Sequence, residues 1–218
     1  MNLPMLLLLG GAIVATTYLL VFSWNADGNW SRSIVKTISV TMLVLVGGAA
    51  TAPWLALTGL ALGATGDFCL SRPGKRAFLV GMAAFALGHL AYTALFLSWA
   101  DPGFLAGSPM RLLLALGLAL ITTATQSWLT PKAGELRGPV RGYVLVIATM
   151  GFAALAVPQP GPTIGASLFL LSDLFLALRL FVYPSGLPRR FLAVLLWPAY
   201  WLGQGFILLA ALTLMNSA

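Results

Sequence analysis

The stretch Pro53-Trp-Leu-Ala-Leu-Thr-Gly59-Leu-Ala-Leu-Gly63-Ala-Thr-Gly66-Asp67-Phe-Cys-Leu70-Ser-Arg72 is apolar or small for about five helical turns, yet a carboxylate stands inside it. A helix that is apolar on every face lies in a core or crosses a membrane. The rest of the chain decides between the two. Of 218 residues, 60% are apolar and 8% charged, against about 45–50% and about 25% in soluble domains. A chain this short has too little interior to hide so many apolar side chains. The same numbers exclude intrinsic disorder. The chain therefore reads as an all-α polytopic membrane bundle, one integral membrane domain over residues 1–218.

A span needs about 20 mostly apolar residues. Eight segments qualify: 3–23, 33–51, 53–71, 77–99, 110–129, 139–157, 161–182 and 190–214. Breaker clusters separate them, such as Asn25-Ala-Asp27-Gly28-Asn29, Arg72-Pro73-Gly74 and Pro158-Gln159-Pro160-Gly161-Pro162. The shortest break is Thr51-Ala52-Pro53, and Pro53 suits the start of a helix. The run Leu3–Trp24 has no basic residue before it, since the first is Arg32, so it reads as a span and not a secretory signal.

Net charge is +7, from 12 Lys or Arg against 5 Asp or Glu. The basic residues lie between greasy runs and not on one wetted face, so no nucleic-acid partner is expected. Eleven of the 12 fall at the loops after spans one, three, five and seven; Arg111 alone falls on the other side. Basic loops stay in the cytoplasm. The expectation is a bacterial cell-membrane protein with both termini on the outer, periplasmic side. The lone Cys69 cannot form an internal disulfide and reads as packing.

Ionisable groups inside spans mark function or a helix contact. Counting helical rise from the basic ends puts Asp67, Asp173 and Lys36 at one depth in the cytoplasmic half, with Tyr143 near the same level. The same counting puts His89 about 10 Å deeper, near the midplane, with Tyr92 on its face, and adds Tyr200 and Gln204 from the last span. Together they outline a polar pocket opening to the cytoplasm. Gly59, Gly63 and Asp67 share a stripe, as do Gly161, Gly165 and Asp173, so both carboxylates lie at close helix contacts. A weak duplication relates them. The offset 173 − 67 = 106 aligns Gly63–Leu70 roughly with Phe169–Leu176, compatible with a four-plus-four parallel repeat.

In order along the chain stand Lys36; Gly66-Asp67-Phe-Cys-Leu70; Phe78, Gly81, Phe85, His89 and Tyr92; Leu136-Arg137-Gly-Pro139-Val140-Arg-Gly-Tyr143; Gly165-Ala-Ser-Leu-Phe169-Leu-Leu-Ser172-Asp173; and Tyr200-Trp-Leu-Gly-Gln204. This ordered set resembles the lysoplasmalogenase family of integral membrane proteins, the YhhN-like family, and runs from span two to span eight. One departure is Thr37, where the family often has Pro after the lysine. The resemblance implies hydrolysis of the vinyl ether of lysoplasmalogens to a fatty aldehyde and a glycerophospho-headgroup, with a lysophospholipid as the partner in the membrane.

The residues suit that chemistry. A vinyl ether resists base and yields to acid; the hard step protonates the β-carbon and creates an oxocarbenium ion. Asp67 and Asp173 are the candidate catalytic pair, one protonated as general acid and one ionised beside the developing cation. Lys36, with Arg72 or Arg179, is a candidate for the phosphate. His89, Tyr92, Tyr143, Tyr200 and Gln204 are candidates for binding substrate and orienting water. No cofactor or metal is expected, since a zinc hydrolase needs more than one His or Cys ligand at a level. No Gly-x-Ser-x-Gly nucleophile motif occurs. Two alternatives use the same buried charges: a proton-coupled transporter of a small or lipid substrate, and an assembly protein in which the Asp residues only pair helices.

Overall fold

The computed structural model describes residues 2–24 and 30–215. The break at Asn25–Asn29, with Asp27, lies outside the described residues. Helix α1 (Leu3–Thr17) continues into a π-helical turn, Tyr18–Phe22. Then follow α2 (Trp30–Ala49), α3 (Trp54–Leu70), α4 (Lys75–Leu97), a short α5 (Pro102–Gly107) and α6 (Pro109–Ala124). A π-helical turn, Thr125–Leu129, and a 3₁₀ segment, Thr130–Leu136, lead into α7 (Arg137–Leu155). The chain ends with α8 (Pro160–Ala177), its π-helical turn Leu178–Val182, and α9 (Gly186–Met215). Among the described residues, eight of these helices match the eight expected spans.

Length alone would give a smaller number. Among the described residues, six helical stretches are both long and apolar enough to cross a membrane, and one of them, Pro109–Leu155, has 47 residues. At 1.5 Å per residue that stretch is about 70 Å, more than twice the hydrocarbon thickness. Gly134, with φ +56° and ψ −123°, turns the chain back inside it, so it is two spans. Helix α3 is the short one, with 17 residues. The doubtful break between α2 and α3 has a built cap. Thr51 takes φ +57°, Ala52 N–H donates to Gly47 C=O (2.8 Å), and Thr51 N–H donates to Gly48 C=O (3.2 Å). This is the paired bonding of a Schellman stop.

Two helix pairs form the tightest contacts, α3 with α4 and α8 with α9. In lipid there is no hydrophobic drive between helices, so close backbone approach supplies the attraction. The stripes do this. A Cβ on Gly66 would sit 2.6 Å from the Phe85 ring, and one on Gly81 2.8 Å from Leu70. Across the other pair, a Cβ on Gly165 would sit 2.7 Å from Ile207, and one on Gly203 3.0 Å from the Gly165 carbonyl oxygen. Each tight pair carries one aspartate: Asp67 on α3, Asp173 on α8. Helix α6, by contrast, has no buried residue.

Candidate functional site

Asp67 is fully buried, and its Oδ1 meets Lys36 Nζ at 2.5 Å. The Lys36 ammonium also stands 5.6 Å from the Tyr200 ring centre and 5.7 Å from that of Trp197. Two aromatic faces thus help hold a cation that crosses from α2 to α3. Apart from the Lys36 contact, neither carboxylate oxygen of Asp67 has a hydrogen-bond partner among the described residues. Tyr200 lines the same cavity as Asp67, and a chain of side chains runs inward from its hydroxyl. Gln204 Nε2 donates to the Tyr200 hydroxyl at 3.3 Å, and Tyr92 donates its hydroxyl hydrogen to Gln204 Oε1. Gly63 makes room for this chain, because a Cβ there would lie 2.6 Å from Gln204 Nε2.

Asp173 has different company. Tyr143 donates its hydroxyl hydrogen to Asp173 Oδ2 at 2.9 Å, and His89 Nε2 faces the same oxygen at 3.4 Å. His89 Nδ1 lies 2.6 Å from the Phe85 carbonyl oxygen, which can only accept, so Nδ1 carries hydrogen. In the neutral ring this leaves the lone pair on Nε2, which stands near the carboxyl group but has no hydrogen-bond partner among the described residues.

The structure corrects the depth expected for His89: it lies beside Asp173, not about 10 Å below the carboxylates. The counting went astray because it took Arg179 as the membrane edge. Helix α8 and its π-turn run on to Val182, and Arg179 lies inside the mouth of a cavity. Asp173 is thus deeper than its distance from Arg179 implied. Nor does Arg179 serve as the ionic partner of Asp173 that simple helix pairing would require. Among the described residues, no three His, Cys, Asp or Glu side chains gather as a metal ion would need.

Two cavities meet at Asp173. One, of about 440 Å³, is lined by Lys36, Asp67, Asp173 and Tyr200 and opens among Arg32, Arg72, Arg179 and Arg189. The other, of about 380 Å³, is an apolar groove between α6, α7 and α8 that also includes Tyr143 and Asp173. Leu70, Phe78, Phe85, Leu176 and Leu180 belong to both walls. Of the candidate residues, Lys36, Asp67, Asp173, Tyr200 and Tyr143 line cavity surface. His89, Tyr92 and Gln204 are buried behind them and reach the cavities through Asp173 and Tyr200. Counting along the sequence did not single out Arg32 or Arg189 as mouth residues. Nor did it find the π-helical turns that shape both cavities with Tyr18, Thr125, Arg179 and Leu180; such turns recur at functional sites.

Fold and site together define a helical membrane protein with two carboxyl groups on one cavity wall inside the bundle, between a basic end and an apolar groove. The chain belongs to the YhhN family, whose pattern matches residues 31–211. It is 31% identical to lysoplasmalogenase TMEM86B of Rattus norvegicus, over 92% of this chain and 81% of the relative. It is 36% identical to lysoplasmalogenase TMEM86B of Sus scrofa, over 82% and 75%. It is 30% identical to a lysoplasmalogenase of Mycobacterium tuberculosis, over 73% and 63%. No solved structure matches the chain.

Proposed function

We propose that this chain is a lysoplasmalogenase-like hydrolase that cleaves the vinyl ether of lysoplasmalogens by acid catalysis within the membrane. The observation that carries the reading is that Asp173 lines both cavities. A lysoplasmalogen has an anionic phosphate at one end, a hydrocarbon chain at the other and the vinyl ether between. With the phosphate among the basic residues of the mouth and the chain in the apolar groove, the vinyl ether falls at Asp173. The names of the relatives point to the same substrate.

Asp173 is the general acid in this mechanism. Tyr143 fixes the carboxyl group by donating to its Oδ2, and His89 Nε2 flanks the same oxygen at 3.4 Å. Asp67 is the carboxylate, held in that form by Lys36 at 2.5 Å. The Asp173 proton forms a C–H bond at the β-carbon as the ether oxygen lone pair forms the oxocarbenium C=O bond. Asp67 faces the developing positive charge. Water adds to the α-carbon and gives up a proton, which restores Asp173. The hemiacetal then breaks its C–O bond, and its hydroxyl proton passes to the departing glycerol oxygen. Products are the aldehyde and the glycerophospho-headgroup.

The cavity mouth and the basic loops lie at one end of the bundle, so substrate enters from the leaflet that faces that end. By the distribution of basic residues this is the cytoplasmic leaflet of a bacterial cell membrane, with both termini outside. The test is aldehyde release from a lysoplasmalogen by the purified protein in detergent. Release by wild type that disappears in Asp173→Asn and Asp67→Asn supports the reading. Failure of the wild-type protein to cleave any vinyl ether lipid, with uptake of the lipid into liposomes, would overturn it in favour of transport. Reporter fusions at each terminus test the orientation.

A further inference from the structure

A polar knot stands at the end of the apolar groove away from Asp173. Arg111, near the start of α6, donates to the Leu155 carbonyl oxygen at 2.9 Å, to Thr163 Oγ1 at 2.9 Å and to the Pro158 carbonyl oxygen at 3.3 Å. Thr163 in turn donates to the Ala154 carbonyl oxygen at 3.0 Å. Leu155 and Thr163 belong to the groove wall. A hydrocarbon chain that reaches this end meets charge-assisted hydrogen bonds whose loss is costly in a lipid setting. The other end of the groove is Asp173. Ten residues of α8 separate Asp173 from Thr163, or about 15 Å of helix. That length takes roughly a dozen carbons of an extended chain, allowing for the zigzag of ~1.5 Å C–C bonds.

Along this wall α6 presents a stripe of Leu113, Leu114, Gly117, Leu118 and Ile121. Gly117 is the exception in size. A Cβ built there meets nothing within 4 Å, so the glycine is not required by packing. A glycine inside a helix costs about 1 kcal/mol relative to alanine. The bond from Arg111 to Thr163 sets α6 in register with α8. Gly117, six residues on, therefore lies about 9 Å above the knot and about 6 Å below Asp173.

Resting on the lysoplasmalogen reading above, we infer that the groove between α6, α7 and α8 measures the substrate's hydrocarbon chain, and that Gly117 keeps it open down to the knot at Arg111 and Thr163. A large side chain at 117 fills the groove part-way and shortens the chain that fits. The preference of the wild-type enzyme falls once the chain outruns the knot.

The experiment compares wild type with Gly117→Phe and with Leu116→Phe, whose neighbouring position is 57% exposed and outside the groove. Alkenyl lysophospholipids of about eight to about eighteen carbons are assayed for kcat/KM. The uncleavable alkyl ethers of the same lengths are assayed for the melting shift they give each protein in detergent. The expected result is a fall of about tenfold or more in the long-to-short ratio of kcat/KM for Gly117→Phe. The melting shift of that variant should stop growing at a shorter chain, while Leu116→Phe follows wild type. An unchanged length profile, or an equal loss at every length, overturns the inference. Wild type inactive on every length overturns the hydrolase reading instead, and the melting shifts then still decide whether the groove measures a chain.

Discussion

His89 Nε2 stands 3.4 Å from Asp173 Oδ2, on a ring whose Nδ1 is held by the Phe85 carbonyl oxygen at 2.6 Å. That bond fixes the ring's orientation, so its second nitrogen stands beside the carboxyl group that lines both cavities, while His89 itself lines neither.

Replacing His89 by Gln keeps a hydrogen-bonding group but removes the ring nitrogen that stands beside Asp173. The expected outcome is a kcat lower by about 10²-fold, the lower range for general acid–base contributions, with KM little changed. Steady-state kinetics on a lysoplasmalogen in detergent check this. An unaltered kcat would mean that His89 only fills space between Phe169 and Tyr143.

Asp173→Asn removes the proposed acid while leaving a side chain of the same shape for Tyr143 to meet. Expected is a loss of about 10²–10⁴ in kcat with a melting temperature near that of wild type. The combination of lost activity and kept stability separates a chemical role from helix pairing.

Lys36→Met leaves Asp67 buried with no ammonium beside it. Breaking a buried pair on one side costs about 3–5 kcal/mol, so the variant should melt well below wild type. The double change Lys36→Met with Asp67→Asn should recover most of that stability and none of the activity. Thermal unfolding in detergent followed by the aldehyde assay reads both. Recovery of activity in the double variant would show that the pair is structural.

Gly63→Val puts a branched side chain where Gln204 Nε2 would be 2.6 Å and the Tyr200 hydroxyl 3.1 Å from the new Cβ. Overpacking of this kind costs about 1–3 kcal/mol. Because Tyr200 shares the wall of one cavity with Asp67 and Asp173, activity should fall further than the loss of folded protein explains. Comparing specific activity with the folded fraction at low temperature measures the difference.

Lys75→Ala tests the reverse case. The Lys75–Glu135 pair, at 2.7 Å, joins two exposed side chains, and the hydrogen bond and charge of Lys75 hold the Glu135 carboxyl below its usual range. A depressed carboxyl contributes above the usual carboxylate range and loses that contribution as pH falls through it. At this exposed site water and salt screen the effect. Melting temperature and activity of the variant should match wild type at neutral pH.

The Gly-rich stripes, the breakers and the basic loops were legible because they are local properties of the chain. Eight spans could be counted from apolar runs, and the doubtful one at Thr51 proved to be separated by a built cap. The candidate polar residues were also legible, since few polar residues stand inside spans and Lys36, Asp67, His89, Tyr92, Tyr143, Asp173, Tyr200 and Gln204 are among them. Their pairing was not. Rise along a helix gives a depth only if its zero is known, and Arg179, taken as that zero, lies within the mouth.

The sequence by itself determined the membrane, the number of spans, the basic end and which polar groups stand inside the spans. Composition and breaker spacing act through the solvent, and lipid leaves the backbone almost no choice but helices. Tertiary structure alone decided that Lys36 belongs to Asp67, that His89 and Tyr143 belong to Asp173, and that a cationic cavity and an apolar groove meet at that carboxyl group. Those relations depend on how closely α3 approaches α4 and α8 approaches α9. Glycine at the contacts permits that approach, but the lateral distances and register follow only once all the helices are packed together.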